Sequence, residues 1–274
     1  MGPRFGRDPH LLVRRGERPG DVDVKLLLDL GNTRIKWAHS TTGASAFDRQ
    51  GEYLYGGRSP EDLLDGLWSA AMPPESVWLC SVIDPGFAAA FEQAMRRRWE
   101  CPVHWVRPQV EGFGVRCAYV NPLRLGADRW AAMVGARVLQ RGAVCILHLG
   151  TTLTADVLDS SGRHLGGIIA PGRRMLQRSL QCGTAQVITD SDEMQWPEQD
   201  RLGRDTDACV AWGVRHSLIG CCREVLGAAR RRLGGEMAVI LAGGDARWAQ
   251  DLLSCASQVE PDLVLRGVAM IADG

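Results

Sequence analysis

The chain has 274 residues, 45% hydrophobic and 23% charged, and its 32 basic and 32 acidic side chains sum to zero formal net charge. This is the composition of an ordinary globular protein, near the length at which one core divides into two lobes. Zero net charge supplies no global field toward nucleic acid or a membrane surface, and no apolar run approaches the roughly 20 residues that span a bilayer. Nine scattered cysteines, with no CxxC and no secretory leader, read as reduced thiols of a cytoplasmic protein.

Residues 1–24 are rich in Gly, Pro and Arg and read as a disordered leader, or as a start placed too far upstream. An apolar strand at 26–28 runs into the turn composition Asp29-Leu30-Gly31-Asn32-Thr33 and then into a second strand at 35–38. Leu63, Leu64 and Leu67 recur at helical spacing within 60–71, after a Ser59-Pro60-Glu61 start. A strand is expected at 77–82, a helix at 85–99 and a strand at 103–106. A long helix follows at 125–140, then strands at 143–149, 154–159 and 165–170, with a turn at 159–162. Helices at 173–181, 206–233 and 247–253 and a strand at 237–241 complete the pattern. Strands alternating with helices predict an α/β class with a largely buried sheet.

An internal repeat organises these elements. CILHLGTTLTADVL, from Cys145, can be laid under LLLDLGNTRIKWAH, from Leu26, so that Gly31 falls on Gly150, Thr33 on Thr152 and Asp29 on His148. Two hairpins sharing turn chemistry by chance would look similar, but both copies follow a buried strand. A glycine lets backbone N–H groups approach anionic oxygens, and the hydroxyls of Thr33, Thr151, Thr152 and Thr154 add donors. Asp29, at a strand end, suits Mg²⁺, which takes few carboxylates and keeps water. Lys36 offsets phosphate charge or is simply an exposed strand lysine; it is one of only two lysines, with Lys25, in an arginine-rich chain. The expected organisation is an N-terminal lobe at 25–142 and a C-terminal lobe at 143–274.

The motifs in order resemble those of type III pantothenate kinases, including Bvg accessory factor-like members. Asp29-Leu-Gly-Asn-Thr-Arg-Ile-Lys36 is similar to their first phosphate motif, and Tyr119-Val-Asn-Pro122 with Leu125-Gly-Ala-Asp-Arg-Trp130 to their substrate segment. His148-Leu-Gly-Thr-Thr-Leu-Thr-Ala-Asp156 is similar to the second phosphate motif. Gly166-Gly-Ile-Ile-Ala-Pro-Gly172, Gly203-Arg-Asp-Thr206 and Ala242-Gly243-Gly244 follow in the family's order.

The resemblance implies a duplicated actin-like, sugar-kinase-like (ribonuclease H-like) ATPase fold, with two lobes around a nucleotide cleft. It implies ATP- and Mg²⁺-dependent phosphorylation of pantothenate to 4'-phosphopantothenate, the first step of coenzyme A synthesis, by a homodimer. Asp128 would be the general base, although before an apolar helix it could equally be an N-cap. Arg129 would hold the pantothenate carboxylate, its alternative being a solvated first-turn arginine. Tyr119 and Gly126 would line the substrate pocket, and Thr206 would reach the neighbouring subunit's pantothenate or cap its own helix. The phosphates would meet Asp29, Gly31, Asn32, Thr33, Lys36, Gly150, Thr151, Thr152, Gly243 and Gly244.

One position departs from the pattern. The family keeps an aspartate where this chain has His148, and that carboxylate helps bind a monovalent cation, K⁺ or NH₄⁺. Imidazole is a poor ligand for such hard cations. A neutral imidazole preserves the local charge, because a carboxylate plus K⁺ also sums to zero, and the enzyme would then need no monovalent activator. The competing reading is an impaired relative serving as a nucleotide-binding accessory or regulatory protein. Arginine runs at 96–98 and 230–232 fit helix C-terminal ends better than a nucleic-acid contact.

Overall fold

In a computed structural model, the chain is described over residues 24–41, 47–54, 56, 58–67, 73–185, 187 and 202–274. Val24, the last residue of the expected leader, already belongs to a strand. The remainder of that leader lies outside the described residues, as do 68–71 of the expected 60–71 helix and the side chain of Leu67.

Five strands form the first sheet: β1 (Val24–Leu30), β2 (Arg34–Thr41), β3 (Arg49–Leu54), β4 (Ser76–Ser81) and β5 (Val103–Trp105). Their spatial order is β3-β2-β1-β4-β5. The first three run antiparallel, and β4 and β5 lie parallel to β1. Leu26, Leu27, Leu28 and Leu30 are fully buried in β1, as expected of a central strand covered on both faces.

The helices α1 (Pro60–Leu67) and α2 (Pro85–Trp99) belong with this sheet. Asp84 caps α2 by accepting the Phe87 N–H at 2.9 Å, Pro85 occupies its first turn, and Glu100 closes it in the left-handed conformation. Phe91, Met95 and Trp99 of α2 and Leu63 of α1 join Leu26, Leu28 and Leu30 in one core. The arginines at 96–98 sit in the last turn of α2, where Arg96 meets Glu92 and Arg97 meets Glu61.

A two-stranded hairpin follows, β6 (Glu111–Gly112) with β7 (Val115–Arg116), and then α3 (Ala127–Leu139). The second sheet comprises β8 (Val144–Leu149), β9 (Thr152–Leu158), β10 (His164–Pro171), β11 (Ala238–Ala242) and β12 (Gln258–Val259). Its order, β10-β9-β8-β11-β12, repeats the first sheet strand for strand, antiparallel and then parallel.

Four helices complete the chain: α4 (Arg173–Gly183), α5 (Thr206–Leu233), α6 (Ala246–Leu253) and α7 (Leu263–Ala272). Val214, Leu218 and Cys222 of α5 and Ala249 and Leu253 of α6 share a core with Leu147, Leu149, Leu153 and Ala155. Among the described residues no helix is long and apolar enough to cross a membrane.

Two compact units result. One holds the described residues through Pro108 with Leu125–Gly135 and Val264–Gly274; the other holds Gln109–Arg124 and Ala136–Leu263. Within the first, α7 returns so closely to α3 that a Cβ on Gly267 would collide with the Ala131 carbonyl. Lys25 in β1 donates to the Ala272 carbonyl at 2.7 Å and to the Asp273 carboxylate at 2.8 Å.

The repeat is real in topology, but the gapless overlay fails after the glycine. The first turn leaves Leu30 opposite Ile35 and Asp29 opposite Lys36; the second leaves Leu149 opposite Leu153 and His148 opposite Thr154. The second turn is therefore one residue shorter, and Thr154 rather than Ala155 takes the place of Lys36.

His39 is buried on β2, opposite Arg49 and 5.0 Å from the Trp37 ring. Burial, with the Arg49 charge, pushes its pKa from 6.5 down to about 4. The folded chain then binds fewer protons than the unfolded one between those values. This contribution is complete above pH 6.5 and is lost as pH falls toward 4, with a total of about 3 kcal/mol. Denaturant melts between pH 7 and 4 should show that slope in the wild type and a shallower one in His39→Gln; parallel slopes would remove His39 from the acid response.

Candidate active site

Asp29 stands one residue before the end of β1, opposite Lys36 on β2 and opposite Cys80 on β4. Its carboxyl is pushed up to about pKa 7, first by burial and then by the Asp128 charge, with Lys36 opposing. The Cys80 thiol is driven well above its ordinary range by burial and by the same two carboxylates. The first unit thus gathers Asp29, Lys36, Cys80 and Asp128 in one neighbourhood, in which Asp29 and Cys80 are withdrawn from water. Gly31 closes the turn by donating to the Arg34 carbonyl at 3.2 Å, with Asn32 exposed and Thr33 half-buried beside it.

Asp128 is the second residue of α3, so it is not the N-cap itself. Its Oδ1 accepts the Arg129 N–H at 2.8 Å. The second oxygen has no hydrogen-bond partner among the described residues. Gly126 precedes the helix and its carbonyl accepts the Trp130 N–H at 3.0 Å. A Cβ on Gly126 would stand 2.5 Å from Asp128 Oδ1, so the missing side chain leaves room for the carboxylate. Arg129 is only 4% exposed, which sets aside the solvated first-turn alternative.

The second unit carries the other hairpin. Gly150 donates to the Thr152 carbonyl at 3.0 Å, Thr151 is exposed and Thr152 half-buried. Gly172, at the start of α4, donates to the Thr151 carbonyl at 3.1 Å, and a Cβ there would collide with Gly150 O. Gly243, at φ +88°, lies against Leu149 and His148, and a Cβ would stand 2.6 Å from His148 Cδ2. Only glycine combines that φ with that approach. Gly244 leads into α6, whose Asp245 backbone N–H donates to the Leu149 carbonyl and whose carboxylate pairs with Arg173 at 3.2 Å. Glycines from three separated segments thus surround one turn, with the half-buried His148 ring fixed beside it.

Tyr119 follows β7 and Thr206 opens α5; both lie in the second unit, whereas Gly126, Asp128 and Arg129 lie in the first. Thr206 does not cap its helix. Asp205 does, accepting the Ala208 N–H at 2.8 Å, while Gly203 lies so close to the backbone of Ala208 and Cys209 that no Cβ fits. Sequence reasoning passed over Cys80, whose signal was only a buried-strand position level with Asp29.

Two neighbouring carboxylates out of bulk water repel each other, and a divalent cation relieves both penalties. Among the described residues no three His, Cys, Asp or Glu side chains gather as a cage. Asp29 fits a Mg²⁺ held largely by water and phosphate oxygens. Within each unit taken separately, the hairpin backbone is of a kind that suits anionic oxygens.

Comparison with known proteins agrees with this chemistry. Residues 25–228 match the family model for type III pantothenate kinase. The type III pantothenate kinase of Nitrosococcus oceani is 32% identical over 90% of this chain and 93% of its own. That of Laribacter hongkongensis is 36% identical over 90% of this chain and 98% of its own. A Campylobacter jejuni structure described as a Baf family transcriptional activator covers 90% of this chain and 98% of its own with a TM-score of 0.57. At 16% identity it speaks for the shared fold alone. The twice-repeated five-stranded sheet is the actin-like, sugar-kinase-like fold, and with the family match across most of its length the chain belongs to the type III pantothenate kinases.

Proposed function

We propose that this chain transfers the γ-phosphoryl group of ATP to the terminal hydroxyl of pantothenate, giving 4'-phosphopantothenate for coenzyme A synthesis. The observation that carries the reading is the desolvated Asp29 carboxyl within reach of the Asp128 charge, in a chain of this family. Phosphoryl transfer asks for placement and charge stabilisation more than for covalent chemistry. Asp128 offers its uncommitted oxygen to the substrate hydroxyl, orients it and takes its proton. Asp29 holds Mg²⁺, and Lys36 offsets phosphate charge from the adjoining strand. Bound with the nucleotide, Mg²⁺ withdraws charge from the transferring group.

The N–H groups of Asn32 and Thr33, and of Thr151 and Thr152, donate to phosphate oxygens, while Gly31 and Gly150, whose own N–H groups close their turns, let the backbone come close to them. Gly243 and Gly244 keep the nucleotide's approach clear. Arg129 binds the pantothenate carboxylate through its planar fork; Tyr119 and Gly126 line the pocket. Thr206, exposed at the start of α5, serves the partner's pantothenate in a homodimer. The reading includes a cytoplasmic enzyme with neither nucleic-acid nor membrane partner.

Asp128→Asn should lower kcat by about a hundredfold through loss of the base while leaving ATP affinity nearly intact. Gly126→Ala should lower kcat by about tenfold with an almost unchanged melting temperature, because it displaces the carboxylate rather than the fold. A coupled ATP-consumption assay with pantothenate reads both, and full activity in Asp128→Asn would overturn the assignment.

His148 takes the place of the monovalent cation. Its ring is fixed by Gly243, and as a neutral group it matches the charge of a carboxylate with its ion. Turnover in potassium, ammonium, sodium and Tris salts should therefore agree to within about twofold. Strong activation by K⁺ or NH₄⁺ would refute this. Light scattering should give twice the chain mass; a monomer at assay concentration would remove Thr206 from the site.

A further inference from the structure

Asp156 and His164 have no part in the chemistry above, yet they are 2% and 1% exposed. His164 Nε2 stands 2.9 Å from Asp156 Oδ1, off the axis of a linear hydrogen bond. At the opposite edge of the ring, Nδ1 accepts the Ala118 backbone N–H over 3.5 Å, a long bond. An accepting Nδ1 assigns the proton to Nε2, on the side of the carboxylate. The Tyr119 ring lies nearly parallel to the imidazole, at 13° and 6.2 Å between centroids.

These contacts continue a longer attachment. The Arg116 N–H donates to the Gly162 carbonyl at 3.0 Å, and the backbone of Arg116 pairs with that of Arg163 in a single parallel strand-like contact. Gly162 approaches Gly114 so closely, at φ +86°, that a Cβ would collide with its carbonyl. Residues 114–119 are thus mounted along the turn that opens β10. That turn is itself braced by Asp159 Oδ1, which accepts from the backbone N–H groups of Ser161 and Arg163. The ladder shifts register between His164 and Gly166, so His164 occupies an irregular point of the strand. A buried ionisable pair costs desolvation that an apolar pair of similar volume would avoid. Its gain here is orientation, since a ring held by a carboxylate presents its other nitrogen in one direction.

We propose that His164 is a positioning residue for the pantothenate pocket: anchored by Asp156, its imidazole fixes the 118–119 backbone and the Tyr119 ring that forms the pocket wall. This rests on the assignment of Tyr119 to that wall. The consequence is selective, because ATP is bound by other residues.

His164→Phe keeps a ring but loses both nitrogens, and should raise the pantothenate KM by about tenfold, the scale of one lost hydrogen bond. The ATP KM should stay within about twofold of wild type and kcat within about threefold. Tyr119→Leu should raise the pantothenate KM similarly, and the double variant should be no worse than either alone, since both act through one contact. An unchanged pantothenate KM in His164→Phe, with a raised one in Tyr119→Leu, overturns the proposal and leaves the pocket assignment standing. An unchanged KM in Tyr119→Leu overturns both. Should His164→Phe fail to fold, the isosteric Asp156→Asn tests the same anchoring: a raised pantothenate KM with unaltered ATP KM supports the proposal, and an unaltered pantothenate KM sinks it.

Discussion

A carboxyl withdrawn from water near a second carboxylate sets the terms for the first unit. Asp29 and Asp128 lie far apart in sequence, yet the Asp128 charge is felt by the Asp29 carboxyl, and both are felt by the Cys80 thiol. Such a pair costs folding energy when nothing offsets it. The surrounding structure therefore has to be firm: a central strand of buried leucines behind Asp29, and a helix start behind Asp128 that leaves space only because Gly126 has no side chain.

The second unit applies the same strand plan to a different electrostatic end. Its hairpin is a residue shorter, carries His148 in the place of a carboxylate and sets Thr154 in the place of Lys36. One half of the duplicated scaffold concentrates charge; the other offers neutral donors and close-packed glycines. Gly172 and Gly243 matter there through what they exclude, since any side chain would push against the turn itself.

Much of this was legible in sequence wherever local physics dominates. The limits of α2 follow from Asp84-Pro85 and the closing arginines, and α5 was readable from end to end because its start and its Gly234 stop are explicit. The turn glycines and their flanking strands were equally plain. Other elements were silent: β3, RQGEYL, has too few apolar residues to announce a strand, and α7, LVLRGVAMIA, is apolar on every side and shows no period. β6, β7 and β12 have two residues each. The repeat was found but its register was not, because a one-residue difference in a turn leaves composition unchanged. Tertiary closeness was invisible too: nothing local in 128 points to 29, or in 164 to 119, and the burial of Arg129 follows from packing that no motif encodes.

The return of α7 to the first unit bears on how the chain matures during synthesis. Gly267 against α3 and Lys25 against Ala272 and Asp273 join the earliest described strand to the final residues. Every segment of the second unit, by contrast, has been made by Leu263. Domains generally fold from the N-terminal end as a chain emerges from the ribosome. Here that order is reversed: the unit that begins first is completed last, and the half bearing Asp29 and Asp128 is assembled only once residues 264–274 have been made. Chains lacking residues 264–274 accordingly lack a finished first unit, whatever the state of the second.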